Sequence, residues 1–289
     1  MKREIGNPFG EAHKVIMAIS AAIIMLLGGT VFAAEATPDV KTMTYKTIGD
    51  KELQIHIHYP PGWKVSDSRP GIIFFFGGGW TGGKIEQFQP QAEYLAGRGM
   101  VAARADYRVK SRDGVTPDKC VEDARSAVRW MRRNAGRLGI DPEKLVASGG
   151  SAGGHLAACM MIPKSVEADG DDLSISTIPQ AMVLFNPVLS FENEQMLERL
   201  NGDEQLARKI SPTRYLDKNA PPALILFGTN DRLKIFGDEY WKKAEAIGVR
   251  ADKYLAEGKN RPSGKTCRGA NLVPKHQDQR AKAVIIKLE

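Results

Sequence analysis

Apolar and polar positions follow two different periods along this chain. Strict alternation, typical of half-buried strands, covers residues 43–48 and 53–59. Further strands, several of them continuously apolar as in a sheet buried on both faces, are predicted at 72–76, 101–109, 144–147, 181–186, 223–228 and 251–256. Segments with helical spacing lie between them, at 88–97, 117–138, 154–161 and 238–247. Because strands and helices alternate, the predicted fold class is α/β, with a mostly parallel central sheet covered by helices on both faces.

The first 34 residues have the three-part composition of a secretory signal peptide. Basic residues come first, an apolar stretch fills 15–27, and small residues follow. We expect cleavage near Ala33 or Ala34, and a retained membrane anchor stays open because residues 15–34 are nearly long enough to span a bilayer. Either outcome predicts an exported body, periplasmic or extracellular, that forms a single domain over residues 41–289.

The net charge of +7 is concentrated at the C-terminus. Residues 259–289 hold eight Lys or Arg and two Asp or Glu, whereas residues 35–258 hold 30 of each sign. No basic helix or aromatic-interleaved basic patch is present, so no nucleic-acid partner is expected. The basic tail shows little core pattern before Ala283, which suggests a shifted reading frame or a diverged terminus. Residues 35–42 are predicted to be a flexible leader.

Neither the cysteine nor the histidine spacing indicates a metal site. The cysteines Cys120, Cys159 and Cys267 are odd in number, and buried free thiols are expected. A disulfide between Cys120 and Cys159 stays open in an exported protein. His56 and His58 share one strand face, but no third ligand is near, so a solvated face is the preferred interpretation. No metal or organic cofactor is expected.

A serine in a glycine-rich turn separates an apolar strand from a helix. The sequence Gly149-Gly150-Ser151-Ala152-Gly153 has the G-x-S-x-G pattern of a nucleophile elbow. The residues two before and two after the serine must be small, because the strained turn pushes the hydroxyl outward. The helix N-terminus then brings backbone N–H groups close to a developing negative charge. We interpret Ser151 as a nucleophile, with a plain glycine-rich turn as the alternative.

Two further groups follow predicted strands, and sites in open α/β sheets form at the carboxyl ends of the strands. Gly77-Gly78-Gly79 follows one buried strand, and Asp231 follows another. The N–H groups of Gly78, Gly79 and Ala152 are predicted to form an oxyanion hole, while Asp231 would orient a histidine. A phosphate loop is disfavoured because the required Gly-Lys-Ser/Thr sequence is absent. A helix-capping role for Asp231 stays open.

These motifs resemble those of the α/β-hydrolase superfamily, in particular carboxylesterases similar to hormone-sensitive lipase, which are often described as acetyl esterases. The resemblance covers residues 45–258 and rests on Gly77–Trp80, Asp106-Tyr107-Arg108, the elbow and Gly228–Asp231. It implies an α/β-hydrolase fold and hydrolysis of short-chain, acetyl-type esters through an acyl-enzyme intermediate. The implied substrate is a small-molecule or polysaccharide ester. A small cap would come from residues 191–216, which are charged and helix-like.

The chain departs from the family pattern at two positions. Phe76 stands where the family has a histidine before the glycines, which is expected to alter loop anchoring rather than chemistry. Arg261 stands where the family has its catalytic histidine, and an arginine cannot act as the base because its pKa lies far above any working pH. His276 is the only histidine downstream of Asp231 in the sequence, so it is the predicted base.

Three functions are therefore compared. The leading one is an exported serine esterase with Ser151, Asp231 and His276 as its catalytic residues. The second is a catalytically impaired or non-catalytic relative, in which His276 does not replace the family's histidine. The third is a serine peptidase of the same fold, which is less expected because the sequence shows no long N-terminal propeller. The sequence leaves the oligomeric state open.

Overall fold

The structure, a computed structural model, describes residues 39–260, all within one compact unit of the chain. The strands are β1 (Asp39–Ile48), β2 (Lys51–Tyr59), β3 (Arg69–Phe75), β4 (Val101–Ala105), β5 (Ile140–Gly150), β6 (Ala181–Phe185), β7 (Ala223–Gly228) and β8 (Ala251–Ala256). They form one sheet in the order β1-β2-β4-β3-β5-β6-β7-β8. β2 pairs antiparallel with β1 and β4, and the other neighbours pair in parallel. The predicted mostly parallel sheet is confirmed.

Helices occupy most connections between the strands. They are α1 (Gln89–Ala96), α2 (Lys110–Asp113), α3 (Pro117–Arg133), α4 (Ala135–Leu138), α5 (Ala152–Cys159), α6 (Glu194–Leu197), α7 (Glu204–Lys209) and α8 (Lys234–Ile247). Turns of 3-10 helix cover Ile85–Phe88, Glu198–Leu200 and Pro212–Tyr215. Within the described part of the chain, none of these helices has both the length and the apolar character needed to cross a membrane.

Strand β3 shows why helices cover both faces of the sheet. Its residues Ile73 and Phe75 belong to a large apolar cluster that includes side chains of α3 and α5. Ile72 and Phe74 point into a second, smaller cluster with side chains of α1. A strand that is apolar at consecutive positions buries both of its faces only when helices lie on each side. The predicted α/β class is confirmed on both faces.

The first strand is longer than the sequence pattern predicts. Residues 39–42 belong to β1, and Asp39 pairs with Tyr59 of β2, so the prediction of a flexible leader up to residue 42 is wrong. The Lys41 ammonium lies over the rings of Tyr59 and Trp63, 5.3 and 5.7 Å from their centroids. These cation–π contacts and the backbone hydrogen bonds between β1 and β2 stabilise the strand as far as residue 39, although its residues do not alternate between apolar and polar there.

Two predicted helical segments are divided in the structure. The helix predicted over 117–138 ends at Arg133, where the side-chain amide of Asn134 donates to the Trp130 carbonyl at 2.8 Å. The segment 191–216 contains α6, α7 and two 3-10 turns rather than continuous helix. Side chains that bond to nearby backbone groups end helices, and the apolar period alone does not reveal them.

The histidine pair on β2 does not form a solvated face, so that interpretation is wrong. His58 is fully buried and accepts a hydrogen bond of 2.9 Å from Nε of Arg104 on the neighbouring strand β4. His56 Nδ1 lies 3.3 Å from Nη2 of the same guanidinium. Burial and the adjacent cation lower the pKa of His58 to about 4, so its ring is neutral at pH 7.

A buried arginine on α3 supports the far end of α5. Arg125 donates from Nη1 to the carbonyls of Cys159 and Ile162, at 3.1 and 3.0 Å. These bonds satisfy carbonyl groups that have no partner within the ending helix. Cys159 and Cys120 are buried free thiols, as predicted, whereas Cys267 lies outside the described residues.

Candidate active site

A sharp turn joins β5 to α5 and carries the predicted nucleophile. Ser151 has φ +55° and ψ −115°, which is uncommon for a residue with a side chain. Its N–H donates to the Phe185 carbonyl at the end of β6 at 2.8 Å, and its carbonyl accepts the His155 N–H at 2.9 Å. The strained residue is therefore held between a neighbouring strand and the first turn of the helix.

Close backbone approach requires the two outer glycines of the elbow. A Cβ on Gly153 would lie 2.0 Å from the Phe75 carbonyl oxygen at the end of β3. A Cβ on Gly149 would lie 2.4 Å from the Gly153 carbonyl oxygen. Neither distance is compatible with a side chain unless the backbone moves. The requirement for small residues that the sequence pattern indicated thus has a direct steric cause.

Ser151 is less accessible than the elbow pattern suggested. The residue retains only 8% of its surface, so the strained turn does not leave Ser151 broadly exposed. A Cβ placed on Gly77 would lie 3.3 Å from the Ser151 Cβ and 2.6 Å from the Gly150 carbonyl oxygen. The triple-glycine loop therefore lies directly against the serine, and this contact contributes to its burial.

The triple-glycine loop after β3 has a backbone conformation that side chains disfavour. Gly78 and Gly79 have φ of +147° and +63°, and Trp80 has +59°. A Cβ on Gly78 would meet a carbonyl oxygen of the same loop at 1.9 Å. Ala152 is the first residue of α5, where backbone N–H groups have no partner within the helix. The structure therefore brings the predicted oxyanion donors to the strand ends at which Ser151 lies.

Two side chains outside the glycines bond directly to this loop. The Tyr107 hydroxyl donates to the Phe76 carbonyl at 2.6 Å, and the two rings stack with centroids 4.0 Å apart. Arg108, the next residue after Tyr107, forms a two-point ion pair with the buried Asp123, at 2.7 and 2.9 Å. Gln87 Oε1 accepts the N–H of the first glycine of the loop. Phe76 thus contributes to anchoring the loop. The sequence analysis expected loop anchoring to differ at this position, because the family has a histidine there.

Asp231 follows β7 at the same edge of the sheet. Strands β5, β6 and β7 are successive neighbours, and the Asn186 N–H after β6 donates to the Leu226 carbonyl in β7 at 2.7 Å. Asp231 is buried, and its Oδ1 accepts the Leu233 N–H at 2.9 Å. The bond helps to orient the carboxylate within its loop. The N-cap residue of α8 is Leu233, and no side chain caps that helix, so the structure does not assign the capping role to Asp231.

The chain that leaves β8 lies against the acid loop. The Asn230 N–H donates to the Lys259 carbonyl at 3.0 Å, and a Cβ on Gly228 would lie 2.2 Å from the same oxygen. This contact comes two residues before the position at which the family has its catalytic histidine. Residues from Arg261 onward, including the predicted base His276, lie outside the described residues.

Among the described residues, no histidine is placed to act as the base. His56 and His58 lie on β2, which four strands separate from β7. His155 is fully buried in α5, donates from Nε2 to the Ile210 carbonyl at 2.7 Å, and packs against Trp80 with ring centroids 5.2 Å apart. Burial lowers the pKa of His155 to about 4, so the ring is neutral at pH 7 and acts as a structural support for the oxyanion loop.

The described residues show no grouping of metal ligands, and they include two features that the sequence analysis did not predict. Within residues 39–260, no three His, Cys, Asp or Glu side chains are grouped to hold a metal ion. Arg199, in the 191–216 segment, donates from Nη1 to the Gly79 carbonyl at 2.9 Å across 120 positions of sequence. Asn186, directly after β6, has φ +40°. Its residue type was a sequence signal for a turn at this point, because asparagine tolerates positive φ.

Comparisons with known proteins agree with this geometry. The sequence model of the BD-FAE family matches residues 55–235. The carboxylesterase NlhH of Mycobacterium tuberculosis is 30% identical over 231 residues, covering 73% of this chain and 70% of that protein. Esterase 2 of Thermogutta terrifontis phosphoramylated by tabun has a TM-score of 0.78 and 40% identity, covering 87% of this chain and 96% of that one. The propionate-bound form has a TM-score of 0.77 and 39% identity, covering 88% and 96%.

The matched region contains the triple glycine, the elbow and Asp231, whereas the departure at Arg261 lies beyond its end. The relative is 30% identical over more than two thirds of its own length, and the structural neighbours agree in fold at about 40% identity. The chain therefore belongs to the BD-FAE family and, with these relatives, to the α/β-hydrolase carboxylesterases similar to hormone-sensitive lipase.

Proposed function

We propose that this carboxylic ester hydrolase cleaves short-chain esters through an acyl-enzyme intermediate on Ser151. The observation that carries the proposal is the contact between the strained Ser151 turn and the triple-glycine loop, 3.3 Å from a Cβ on Gly77 to the Ser151 Cβ. Preorganised N–H donors beside a nucleophile stabilise the oxyanion of acyl transfer, and each such donor is worth about 3–4 kcal/mol in measured cases.

The proposed reaction has two symmetric halves. Ser151 Oγ attacks the ester carbonyl carbon while its proton passes to His276, which Asp231 orients. The carbonyl electron pair moves to oxygen, where the N–H groups of Gly78, Gly79 and Ala152 would stabilise the charge. When the pair returns, the bond to the alcohol oxygen breaks and the alcohol leaves with the proton from the base. Water then attacks the acyl-enzyme by the same route, and the carboxylic acid is released.

The structural neighbours support both parts of this proposal. Thermogutta terrifontis esterase 2 binds propionate, a short acyl chain, and is phosphoramylated by tabun. Covalent modification by such a phosphorus electrophile is the behaviour expected of an activated nucleophile. Transfer of these properties to this chain rests on the shared fold and on 39–40% sequence identity.

A paired labelling and turnover assay tests the proposal. A fluorophosphonate probe should label the wild-type protein, and 4-nitrophenyl acetate should be hydrolysed faster than the octanoate ester. Ser151→Ala should abolish the labelling and lower kcat by roughly 10⁴-fold or more. Ser174→Ala, at an exposed serine on the connection after α5, is the matched control and should behave like the wild type. Equal turnover in Ser151→Ala would remove the assignment.

A catalytically impaired relative is the second candidate. One observation favours it: the segment that lies against the acid loop continues into Arg261, where the family has its catalytic histidine. A protein of this kind would retain the binding site, and a residual rate roughly 10³–10⁴-fold above water would come from the oxyanion hole and positioning alone. Sequencing the gene across codons 255–289 separates a genuine arginine from a shifted frame.

Export is part of the same proposal, supported by the signal-peptide composition of the first 34 residues. N-terminal sequencing of the protein recovered from fractionated cells tests it. A mature N-terminus near residue 34 or 35 in the exported fraction is expected. Recovery of the intact chain from the soluble cytoplasmic fraction would contradict export.

A further inference from the structure

An exposed cation lies on the loop that is proposed to bind the oxyanion. Arg199 belongs to the 3-10 turn after α6, and its Nη1 donates to the Gly79 carbonyl at 2.9 Å. Nη1 and Nη2 lie 3.8 and 4.0 Å from a Cβ placed on Gly79. The guanidinium is therefore next to the residue whose N–H is a predicted oxyanion donor, on the side exposed to solvent.

The guanidinium is held in place but its charge is not neutralised by a carboxylate. Its Cζ lies 5.5 Å from the ring centroid of Trp80, a cation–π contact that fixes the planar group. Two other arginines of the same segment form ion pairs, Arg208 with Glu204 and Arg214 with Glu192. Among the described residues, no carboxylate lies within ion-pair distance of Arg199. A guanidinium carries five N–H donors, and one bond to a carbonyl uses one of them.

We propose that Arg199 is a specificity-determining residue that recognises a carboxylate carried by the ester substrate. The inference rests on the proposed function, because it needs the reacting carbonyl oxygen in the hole formed by the glycine loop. A substrate whose acid-bearing part passes Gly79 would meet the guanidinium, and the fixed fork of that group matches the two oxygens of a carboxylate. The preferred substrate class is then a monoester of a dicarboxylic acid, or an ester whose alcohol part carries an acid.

Matched pairs of substrates test the inference. Mono-4-nitrophenyl succinate and 4-nitrophenyl butyrate compare an anionic with a neutral acyl chain, and 3-acetoxybenzoate and phenyl acetate make the same comparison on the alcohol side. Each kcat/KM is first divided by the rate constant for reaction of the same ester with hydroxide, which removes differences in intrinsic reactivity. The anionic ester of at least one pair should then have a value about tenfold higher than its neutral partner, mainly because its KM is lower. The pair that shows the preference identifies the side that carries the acid. Equal values in both pairs would overturn the inference.

Substitutions at Arg199 separate recognition from loop anchoring. Arg199→Gln removes the charge and shortens the side chain, so it should abolish the preference by lowering kcat/KM for the anionic ester more than for the neutral ester. Arg199→Glu should favour the neutral ester. Arg208→Gln, in the same segment but paired with Glu204, is the matched control and should retain the preference. An equal loss for both esters in Arg199→Gln would mean that the residue only anchors the loop.

A binding measurement keeps this test separate from the proposed catalysis. In the Ser151→Ala background, monoethyl succinate should bind about tenfold more tightly than ethyl butyrate by ligand-observed NMR, and added Arg199→Gln should remove the difference. Absence of turnover with the binding preference intact would contradict the proposed function alone. Equal binding of the two probes in the Ser151→Ala background would contradict the role of Arg199.

Discussion

The nucleophile side and the acid side of this site are held by different kinds of contact. The nucleophile side, residues 76–80 and 149–155, is fixed by packed backbone, stacked rings and a buried histidine. The acid side, residues 228–231 and 256–260, is fixed mainly by hydrogen bonds between two loops and by the bond from the Leu233 N–H to Asp231, with one close backbone approach at Gly228. Steric contacts of the first kind tolerate almost no substitution, whereas loop hydrogen bonds tolerate many.

This difference bears on which substitutions the elbow tolerates. A side chain at Gly149 or Gly153 would collide with backbone, so the fold itself requires glycine there. The chain has Arg261 where the family has its histidine, and this position lies outside the described residues. The fold can therefore persist after a change that removes catalysis, because the groups that stabilise it differ from those that move protons.

The largest expected effect concerns the base on the acid side. If His276 takes the proton of Ser151, His276→Ala should lower kcat for 4-nitrophenyl acetate by roughly 10⁴–10⁶-fold, since a triad histidine acts as a unit with its serine. KM should change little, because the base does not bind the substrate. Steady-state kinetics above pH 7 measure both values.

Arg261→His supplies the control for that experiment. Introduced into His276→Ala, it should restore at least part of kcat, because the family has its histidine at this position. Unchanged turnover in His276→Ala, combined with a gain from Arg261→His in the otherwise native chain, would instead identify the protein as an impaired relative.

The next largest effect is steric and lies on the nucleophile side. Gly153→Ala places a Cβ 2.0 Å from the Phe75 carbonyl oxygen, so α5 must move away from β3. We expect a loss of about 3 kcal/mol or more in the free energy of unfolding, together with loss of activity. Gly136→Ala is the control, because a Cβ there meets nothing within 4 Å. Equal stabilities of the two variants in urea would contradict the packing argument.

Acid should weaken the nucleophile side through His155. Burial lowers the pKa of this residue from 6.5 to about 4. The unfolded chain therefore takes up a proton near pH 6.5 that the folded protein takes up only near pH 4. Stability from this group is present at pH 7 and is lost as the pH falls from about 6.5 to 4, by about 3 kcal/mol.

Urea unfolding at pH 7 and at pH 4.5 measures this loss. The quantity compared between variants is the change in unfolding free energy between the two pH values, not the free energy at either one. His155→Gln should flatten the pH dependence because the titrating group is removed. His58→Gln should flatten it to a similar extent, since the pKa of His58 is also lowered to about 4. An identical slope in the wild type and His155→Gln would exclude His155 as a source.

The smallest expected effect tests the anchoring of the oxyanion loop. Tyr107→Phe keeps the ring that stacks on Phe76 but removes the hydroxyl that donates to the Phe76 carbonyl at 2.6 Å. A buried acceptor left without its donor costs about 1–2 kcal/mol. We expect that decrease in unfolding free energy and a kcat several-fold lower, because the loop loses one support. Unchanged kcat and stability would show that the stacked ring alone holds the loop.

Much of the fold was predictable because apolar periodicity reports burial directly. The continuously apolar run at 72–76 predicted a central strand, and β3 does bury both faces. The elbow and the triple glycine were recognisable because their steric requirements restrict the residue type locally. The environments of His58 and Arg199 were not predictable, since each depends on a partner far away in sequence: Arg104 is 46 positions from His58, and Gly79 is 120 from Arg199.

By itself, the sequence determined the α/β class, the glycine positions at two strand ends and the identity of the candidate nucleophile and acid, because period and local steric limits are encoded residue by residue. Only the tertiary structure decided that Ser151 is covered by the glycine loop, that His155 is a neutral support, and that Arg199 lies on that loop. Those properties arise from strand order and from contacts between distant segments. Burial and charge are set by such neighbours, which no local pattern specifies.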